Sequence, residues 1–463
     1  MFSKEIYINR RMQLKSKLDK GIALFMGNHE APCNYKDNTY HFRQDSTFLY
    51  YFGLDEPDLA AVIDFESGAE ILFADDVSID DIVWTGPLPK MQEKAALVGV
   101  KDTLSRGKLG EFIQKALKAG RKVHFLPPYR GDNMIELMDI FGIHPKDQKS
   151  AASEALIRAV VSMRMIKQPE EIAELDKACD LGYAMHYTAM SMARTGMVEQ
   201  ELAGVMEGVA VSGGYMPAFP TILTQNGEVM HGHSHHQILT EGRLLLMDAG
   251  AEISSHYDSD FTRTIPCSGK FTGLQKDLYN LVLTANNHCR GMCAPGVPFK
   301  EVHLAAAHIL TNGLKDLGFM KGDTAEAVAA GAHAAFWPAG LGHNMGLDVH
   351  DMEDLGEIFV GYDHTVTRST QFGLKSLRMA RALQAGNVMT VEPGFYFIPT
   401  LLEMWKKEGH NAAFINFDKC VPHYNFGGIR IEDDVLITPK GHRLLGSKRL
   451  PVTVEEIESV MNR

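Results

Sequence analysis

The stretch RLLLMDAGAEISSHYDSDFTRTIPCSG (243–269) decides the fold of the second half of the chain. Its first part is apolar enough for a buried strand, and its last part is typical of a strand returning after a polar turn. In such a hairpin, Asp248 and Asp260 would lie across from each other, in a position to bridge metal ions. Asp258 shares a strand face with Asp260 by the period of two, so the pattern leaves both open. Turn-forming or strand-end aspartates are an equally good interpretation of the pair.

Three later segments carry further candidate metal ligands. They are His343 in GLGHNMGLDVHD (340–351), Glu392 in TVEPGFYF (390–397) and Glu432 in GGIRIEDD (427–434). Together with the two aspartates they form an oxygen-rich set, which suits Mn, Co, Fe or Zn in a hydrolytic pair better than a structural zinc site of cysteines. Four buried carboxylates repel one another, whereas two divalent cations would neutralise them. The pattern therefore indicates a two-metal hydrolase.

The composition is that of an ordinary globular protein. Of the 463 residues, 22% are charged and 45% hydrophobic, which argues against both disorder and a membrane span. The formal net charge of −12 excludes a nucleic-acid partner, which would require a basic face. The N-terminus, MFSKEIYINRRMQLKSKL, has no apolar run for a signal peptide, so a cytoplasmic location is expected. Six dispersed cysteines are too few for a disulfide framework.

The chain organises into two predicted domains. In residues 1–150, short apolar runs alternate with helical patterns such as 102–120, which predicts an α/β domain. A long amphipathic stretch broken at Pro169 then begins the second domain, 151–463. This domain has an α+β pattern, predicting a curved antiparallel sheet covered by helices around one cleft. Its predicted helices are 170–213, 272–294, 299–318 and 324–335, and its predicted strands are 243–249, 387–392 and 429–437.

The four motifs resemble, in order and spacing, the pita-bread metallopeptidases, specifically Xaa-Pro aminopeptidase (aminopeptidase P) and Xaa-Pro dipeptidase (prolidase). The segment YHFRQDSTFLYYFGLDEPDLAAVID (40–64) is similar to the N-terminal domain of aminopeptidase P. The resemblance implies a creatinase/aminopeptidase P-like domain over 1–150 and a pita-bread catalytic domain over 151–463. It also implies two divalent metal ions, with Mn²⁺ expected first and Co²⁺, Zn²⁺ or Fe²⁺ as alternatives, and a homodimer or homotetramer.

The resemblance also implies roles for individual residues. It selects Asp260 over Asp258, because Asp260 stands immediately before Phe-Thr-Arg-Thr. His231 and His350 match histidines that contact substrate. The implied metal ligands are Asp248, Asp260, His343, Glu392 and Glu432, with Glu392 also acting as proton shuttle.

Three other residues have two interpretations each. Arg378, in SLRMARAL (376–383), matches an arginine near the C-terminal side of the substrate, but a surface arginine in a salt bridge is the alternative. Trp84, in DIVWTGP (81–87), matches a tryptophan that reaches a neighbouring subunit's cleft, with core packing as the alternative. Arg430 either supports the ligand shell or packs on its strand.

One histidine of the family pattern is missing from this chain. Most relatives read His-Gly-x-x-His where this chain has Ala339-Gly340-Leu341-Gly342-His343. The missing histidine lines the cleft in relatives and is not a ligand, so its absence leaves the metal set intact. The neighbours His233, His235 and His236 are expected at the solvated surface, and His333 is expected to be structural.

The resemblance implies hydrolysis of the Xaa-Pro bond, releasing an N-terminal residue from peptides with proline second. A dipeptidase is the alternative, because GLKSLRMARALQ (373–384) and the insertion 401–420 look at least as much like prolidase. A pita-bread binding module without catalysis, or a metal-free creatine-hydrolysing relative, is disfavoured by the retention of all five ligands. The proline ring needs an apolar floor, which we expect near Phe336 and Trp337.

Overall fold

The computed structural model describes residues 1–462, which divide into two compact units. The first is Met1–Arg164 with Asp354–Phe359, and the second is Met165–Glu353 with the chain from Val360 onward. The sequence placed the boundary after residue 150, but the helix Glu154–Arg164 belongs to the first unit. The reason is local: the Tyr51 hydroxyl donates to the sulfur of Met163 at 3.4 Å, and Arg164 donates to Thr47 Oγ1 at 2.8 Å.

The first unit has a mixed five-stranded sheet, in agreement with the predicted α/β class. In spatial order its strands are Asp102–Leu104, Glu70–Phe73, Ala60–Asp64, Ile22–Met26 and Val123–His124. The central pairs are antiparallel, and both edge strands run parallel to their neighbours. A hairpin joins Pro32–Tyr35 to Asn38–Thr39. The helices are Lys4–Lys15, Ser46–Phe52, Ile79–Thr85, Met91–Leu97, Leu109–Lys118, Gly131–Phe141, Pro145–Ala151 and Glu154–Arg164.

The segment 102–120 differs in part from its predicted helix. Its first three residues form the edge strand Asp102–Leu104, and the α-helix begins only at Leu109. The strand forms because the backbone of Ile71–Phe73 offers hydrogen bonds to it. The helix then buries Leu109 and Ile113 against the sheet residues Leu24, Val62 and Phe73. Each such buried side chain contributes roughly 1.5–3 kcal/mol to stability.

Every predicted helical segment of the second unit contains a helix, although 170–213 is interrupted after Met192 and the α-helix in 324–335 ends at Ala329. The three α-helices after residue 398 were not predicted. The α-helices of this unit are Pro169–Met192, Glu199–Ser212, Gly273–Met292, Phe299–Asp316, Thr324–Ala329, Pro399–Glu408, Phe417–Cys420 and Val454–Met461. A further short helix, Glu357–Val360, ends on the first residue of the unit's second segment. Pro169 occupies the first turn of its helix, where no backbone donor is lost. No helix within residues 1–462 is long and apolar enough to cross a membrane.

The second unit also has the expected antiparallel strands, in several small sheets. One sheet contains Ile222–Thr224, Leu244–Ala249 and Phe261–Pro266, and another contains Val388–Val391, Asp433–Thr438 and Gly441–Leu444. Two strand pairs complete the set: Met216–Pro217 with Ala251–Glu252, and Gly394–Tyr396 with Gly428–Arg430. An isolated bridge between Thr262 and Glu432 connects the first hairpin to the later strands. This bridge brings residues 170 positions apart into one site.

Candidate metal centre

The residues predicted as ligands meet in one cleft of the second unit, with a volume of about 240 Å³. The same cleft is lined by the predicted substrate residues and by Ala339. Its polar lining includes Asp248, Asp260, His343, Glu392, Glu432, His231, His350, Arg378 and Arg430. The predicted gathering of distant strands around one cleft is therefore what the structure contains.

Three of the five residues form the tightest group. One ligand atom from each of Asp260, His343 and Glu432 lies within 4.8 Å of the other two, and all three side chains are buried. His343 Nε2 is 3.4 Å from Asp260 Oδ2 and 3.8 Å from Glu392 Oε1. Asp248 lies outside this tight group, and one of its oxygens is ion-paired with Arg430.

In the hairpin 243–269, the two aspartates are not directly opposite each other, contrary to the prediction from the sequence. Asp248 faces Thr262 in the antiparallel register, and Asp260 immediately precedes the returning strand. Asp258 does not line the cleft. Its backbone instead forms an isolated antiparallel β-bridge with that of Glu252, and its N–H donates to the Gly346 carbonyl at 3.0 Å. Strand alternation alone did not separate Asp258 from Asp260, because the regular strand begins only after both.

Backbone contacts fix His343 beside these carboxylates. Its N–H donates to Thr390 Oγ1 at 3.1 Å, and the Thr390 N–H donates to the His343 carbonyl at 3.0 Å. A Cβ at Gly342 would lie 2.0 Å from the Thr390 carbonyl oxygen, so only glycine permits this approach. The Nδ1 atom of His343 is 3.1 Å from the Asn344 carbonyl, which favours a proton on Nδ1 and leaves Nε2 as the ligand atom.

The two glutamates are held by the later strands. Glu392 follows the strand Val388–Val391, and its N–H donates to the Leu341 carbonyl at 2.8 Å. Glu432 lies between Gly428–Arg430 and Asp433–Thr438, and it accepts a hydrogen bond from Thr262 Oγ1 at 2.6 Å. Both carboxylates thereby reach the same end of the hairpin 243–269.

Burial and repulsion between neighbouring carboxylates dominate the electrostatics of the predicted ligands. Burial, with Glu432 nearby, raises the pKa of Asp260 well above its usual value. Burial and the charge of Glu392 do the same to the pKa of Glu432, and burial raises the pKa of Glu392 to about 6. Burial lowers the pKa of His343 well below its usual value, so this imidazole is neutral, as a metal ligand must be.

Arg430 contacts one of the predicted ligands and two hydroxyl groups near the cleft. Its guanidinium is ion-paired with Asp248, donates to the Tyr396 hydroxyl at 2.9 Å and donates to Thr262 Oγ1 at 3.0 Å. Of the two interpretations of this arginine, support of the ligands is the one that these contacts favour. Tyr396 also lines the cleft and was not anticipated, since nothing in TVEPGFYF marks its hydroxyl as a partner of an arginine.

The residues present fit divalent cations. Asp260 Oδ1 is buried and has no hydrogen-bond partner within residues 1–462, although a buried carboxylate oxygen normally has one. A cation bound by Asp260, His343 and Glu432 would satisfy that atom, and Asp248 and Glu392 supply further oxygens. No cysteine lines the cleft, so the donor set suits hard or borderline ions.

The predicted substrate residues lie around this centre. His231 follows the strand Ile222–Thr224, and burial together with Arg430 lowers its pKa. The ring centroids of His350 and His343 are 4.1 Å apart. Nδ1 of His350 is 2.5 Å from Glu353 Oε2, and this same oxygen is 3.2 Å from Arg378 Nε. Glu353 was not singled out from the sequence, because an acidic residue in the loop MEDLGE carries no motif.

Other expectations about the cleft were wrong or only partly right. Phe336 and Trp337 do not line it: each is 1% exposed, and they stack on Phe395 and His303. Its apolar wall is instead Phe219, Pro220, Ile222, Met230 and Val349.

The histidine cluster 233–236 is divided between cleft, interior and surface. His233 and His236 are both exposed, as expected, and His233 also lines the cleft. His235 is buried, with its Nδ1 2.9 Å from the Leu223 carbonyl, so the expectation of a surface position was wrong for it. His333 is buried beside His303, which agrees with a structural role.

Trp84 lies in the first unit and is 87% exposed. Its helix, Ile79–Thr85, buries none of its residues. Core packing, the alternative for this tryptophan, is therefore wrong. Its substrate-binding role stays a prediction.

The fold and the cleft define a metallohydrolase with a separate N-terminal domain. The chain belongs to metallopeptidase family M24, whose model matches residues 173–439, and the model for the aminopeptidase P N-terminal domain matches residues 7–124.

The similar proteins include both Xaa-Pro dipeptidases and Xaa-Pro aminopeptidases. The human Xaa-Pro dipeptidase is 32% identical over 95% of this chain and 88% of its own length. A protein named probable Xaa-Pro aminopeptidase from Botryotinia fuckeliana is 32% identical over 92% of this chain and 89% of its own. Zinc-substituted Escherichia coli aminopeptidase P with product is similar at a TM-score of 0.80 and 29% identity, covering 100% of this chain and 98% of that one.

Proposed function

We propose that this metallopeptidase hydrolyses the Xaa-Pro peptide bond and releases the N-terminal residue from peptides with proline second. The observation that carries the proposal is the convergence of four carboxylates and His343 on one cleft that also contains His231, His350 and Arg378. Relatives named for Xaa-Pro hydrolysis cover nearly the whole chain and support it.

The proposed cofactor is a pair of divalent ions, with Mn²⁺ expected first and Co²⁺, Zn²⁺ or Fe²⁺ as alternatives. Asp248, Asp260, His343, Glu392 and Glu432 would hold them. When bound, such ions act as Lewis acids that polarise a carbonyl and make water a better nucleophile.

The side chains of this chain supply the remaining chemistry. Glu392 accepts the proton that water loses as it attacks the carbonyl, and delivers that proton to the proline nitrogen as the bond breaks. His231 donates a hydrogen bond to the scissile carbonyl and to the oxyanion that develops from it, and His350 contacts the substrate from its place beside His343. Arg378 binds the substrate beyond proline, and the apolar wall at Phe219 accepts the proline ring.

A homodimer or homotetramer is part of the proposal. The exposed Trp84 is the substrate-binding residue proposed from outside the cleft, as a contribution to a neighbouring subunit. Light scattering after gel filtration measures the oligomer, and Trp84→Ala should weaken peptide binding without changing metal content.

A cytoplasmic location also stays a prediction.

A dipeptidase is the second candidate, and the 32% identity to the human Xaa-Pro dipeptidase over 95% of this chain favours it. A dipeptidase must recognise a free carboxylate directly after proline, whereas an aminopeptidase must let the peptide continue out of the cleft. Arg378 does not discriminate, because a guanidinium binds either a carboxylate or a carbonyl oxygen.

The deciding experiment compares three substrates on protein whose metal content is known from elemental analysis. They are an Xaa-Pro dipeptide, the Xaa-Pro-Yaa tripeptide and the matched Xaa-Ala-Yaa tripeptide. We expect hydrolysis of the Xaa-Pro-Yaa tripeptide, weaker hydrolysis of the dipeptide and none of the alanine control. Efficient cleavage of the dipeptide alone would establish the dipeptidase, and no cleavage of either proline peptide would refute the proposal.

A further inference from the structure

Glu353 stands between two of the proposed substrate residues. It is the first residue of the short 3₁₀ turn Glu353–Leu355, three positions after His350, and its side chain is 37% exposed. It does not line the cleft itself, whereas His350 and Arg378 both do. It therefore contacts two cleft-lining side chains without lining the cleft itself.

One carboxylate engages both neighbours. Glu353 Oε2 is 2.5 Å from His350 Nδ1 and 3.2 Å from Arg378 Nε, and Oε1 is 3.4 Å from the same Nε. The hydrogen bond from His350 lowers the pKa of Glu353 to about 2, so the carboxylate is ionised at neutral pH. An ionised carboxylate can only accept, and the proton in the short contact therefore belongs to Nδ1 of His350.

These contacts decide which atoms remain available to a substrate. His350 contacts Glu353 through Nδ1, and Arg378 contacts it through Nε. Since Nδ1 is occupied by Glu353, the ring of His350 can address the cleft only through Nε2. Since Nε of Arg378 is occupied, its terminal nitrogens are left for a carboxylate or carbonyl group.

We propose that Glu353 is a positioning residue that sets the tautomer and orientation of His350 and the direction of Arg378 at once. The proposal rests on the Xaa-Pro peptidase activity proposed above. It links His350, a proposed substrate contact beside the proposed metal ligand His343, to Arg378, which is proposed to bind the C-terminal side of the peptide. Loss of Glu353 should therefore change kcat through His350 and KM through Arg378.

Steady-state kinetics on an Xaa-Pro-Yaa tripeptide test the two links separately. Glu353→Ala should lower kcat about tenfold and raise KM about fivefold, and Glu353→Asp should restore part of both. Combined with His350→Ala, the same substitution should lower kcat by less than about twofold while KM still rises. Combined with Arg378→Ala, it should leave KM nearly unchanged while kcat still falls. Full additivity in both pairs would overturn the proposal.

The control variant is Glu408→Ala, which removes an exposed glutamate of the same unit and should leave both constants unchanged. Metal content and melting temperature measured on every variant separate a positioning effect from unfolding or metal loss. A Glu353→Ala protein with full metal and with kcat and KM within twofold of the parent would also overturn the proposal.

A spectroscopic measurement tests the positioning without any turnover. In protein labelled with ¹⁵N at histidine, the ring signals of His350 are assigned by their loss in His350→Gln. They should show the proton on Nδ1 in the parent and a mixture of tautomers in Glu353→Ala. If the tautomer of His350 is unchanged in Glu353→Ala, the positioning proposal is refuted, whether or not the chain hydrolyses peptides. If the parent protein does not hydrolyse Xaa-Pro peptides, the proposed function alone is refuted.

Discussion

Two clusters of ionisable side chains, one in each unit, use similar residues with opposite results. In the first unit, His29 Nδ1 is 2.5 Å from Asp58, and Arg106 donates from both terminal nitrogens to Glu136 at 2.7 Å. The hydrogen bond from His29 lowers the pKa of Asp58. Although burial opposes it, hydrogen bonds from His29 and Arg106 lower the pKa of Glu136 to about 2. In the cleft of the second unit, burial and like charge raise the pKa of three of the four carboxylates.

The difference between the clusters is charge balance. Each carboxylate of the His29 cluster has its own cationic partner. Among the four cleft carboxylates, Asp248 alone is ion-paired with an arginine of residues 1–462. A protein keeps unbalanced carboxylates buried together when something else supplies the positive charge. The comparison therefore separates a cluster whose charges are paired from one whose donor set suits a metal ion.

The largest expected effect comes from removing the metal. Prolonged chelation should abolish peptidase activity and lower the melting temperature, because the ligands converge only in the folded chain. Addition of Mn²⁺ or Co²⁺ should restore both. Chelator already saturated with Mn²⁺ is the control, and full activity in a protein shown by elemental analysis to hold no transition metal would contradict the comparison.

Removing single charges from the cleft should have the next largest effect. Asp260→Asn and Glu392→Gln should each lower kcat at least about a thousandfold, on the order of 4 kcal/mol of activation barrier. Asp258→Asn, which changes a buried aspartate outside the cleft, is the matched control and should cost far less. If the control variant loses more activity than Asp260→Asn, the assignment of the second aspartate is wrong.

Charge imbalance should also be visible in the stability of the metal-free protein. The pKa of Glu392 rises from 4.5 to about 6 on folding, so the folded chain holds the proton of this carboxyl more tightly than the unfolded chain does. The protonated carboxyl therefore stabilises the folded state below pH 4.5, and this contribution is lost as pH rises through 6. Glu392→Gln has no such loss. Relative to the parent, it should gain about 2 kcal/mol in unfolding free energy between pH 4.5 and pH 7.5. Urea denaturation at both pH values measures this, and with metal bound the gain should become a loss.

A smaller effect is expected from the departure at Ala339, which lines the cleft. Ala339→His should change kcat/KM for Xaa-Pro substrates about tenfold, roughly 1.4 kcal/mol. Ala339→Leu fills the same space without an imidazole and serves as control. An unchanged Ala339→His enzyme would mean that another side chain, such as His233, already fills the role.

The smallest effect should come from the balanced cluster. The hydrogen bonds with Asp58 and Glu136 raise the pKa of His29 to about 9, so its contribution is complete below pH 6.5 and is lost as pH rises through 9. His29→Gln should cost about 1 kcal/mol of unfolding free energy at pH 6 and almost nothing at pH 10. Peptidase activity should not change. A cost that is the same at both pH values would show that the charge on His29 is irrelevant.

Much of the candidate site was predictable because each ligand lies in a short motif with a recognisable neighbourhood. DFTRT marked Asp260, and GLGH marked His343. Glu353 was not predictable, since its partners His350 and Arg378 are three and twenty-five positions away and no motif includes it. The apolar wall was misplaced at Phe336 and Trp337 for a similar reason: apolar letters do not reveal which face of a loop meets the cleft.

The sequence by itself determined the class of each unit, the helical segments of the second unit before residue 335 and the identity of the residues that gather in the cleft. These depend on local patterns of polarity and on short motifs, which act over a few residues. The tertiary structure alone decided that Asp258 turns away from Asp260, that Arg430 pairs with Asp248 and that Glu353 joins His350 to Arg378. Such contacts depend on backbone register and on loops that meet across long separations in the chain, and a pattern of neighbouring residues holds no information about them.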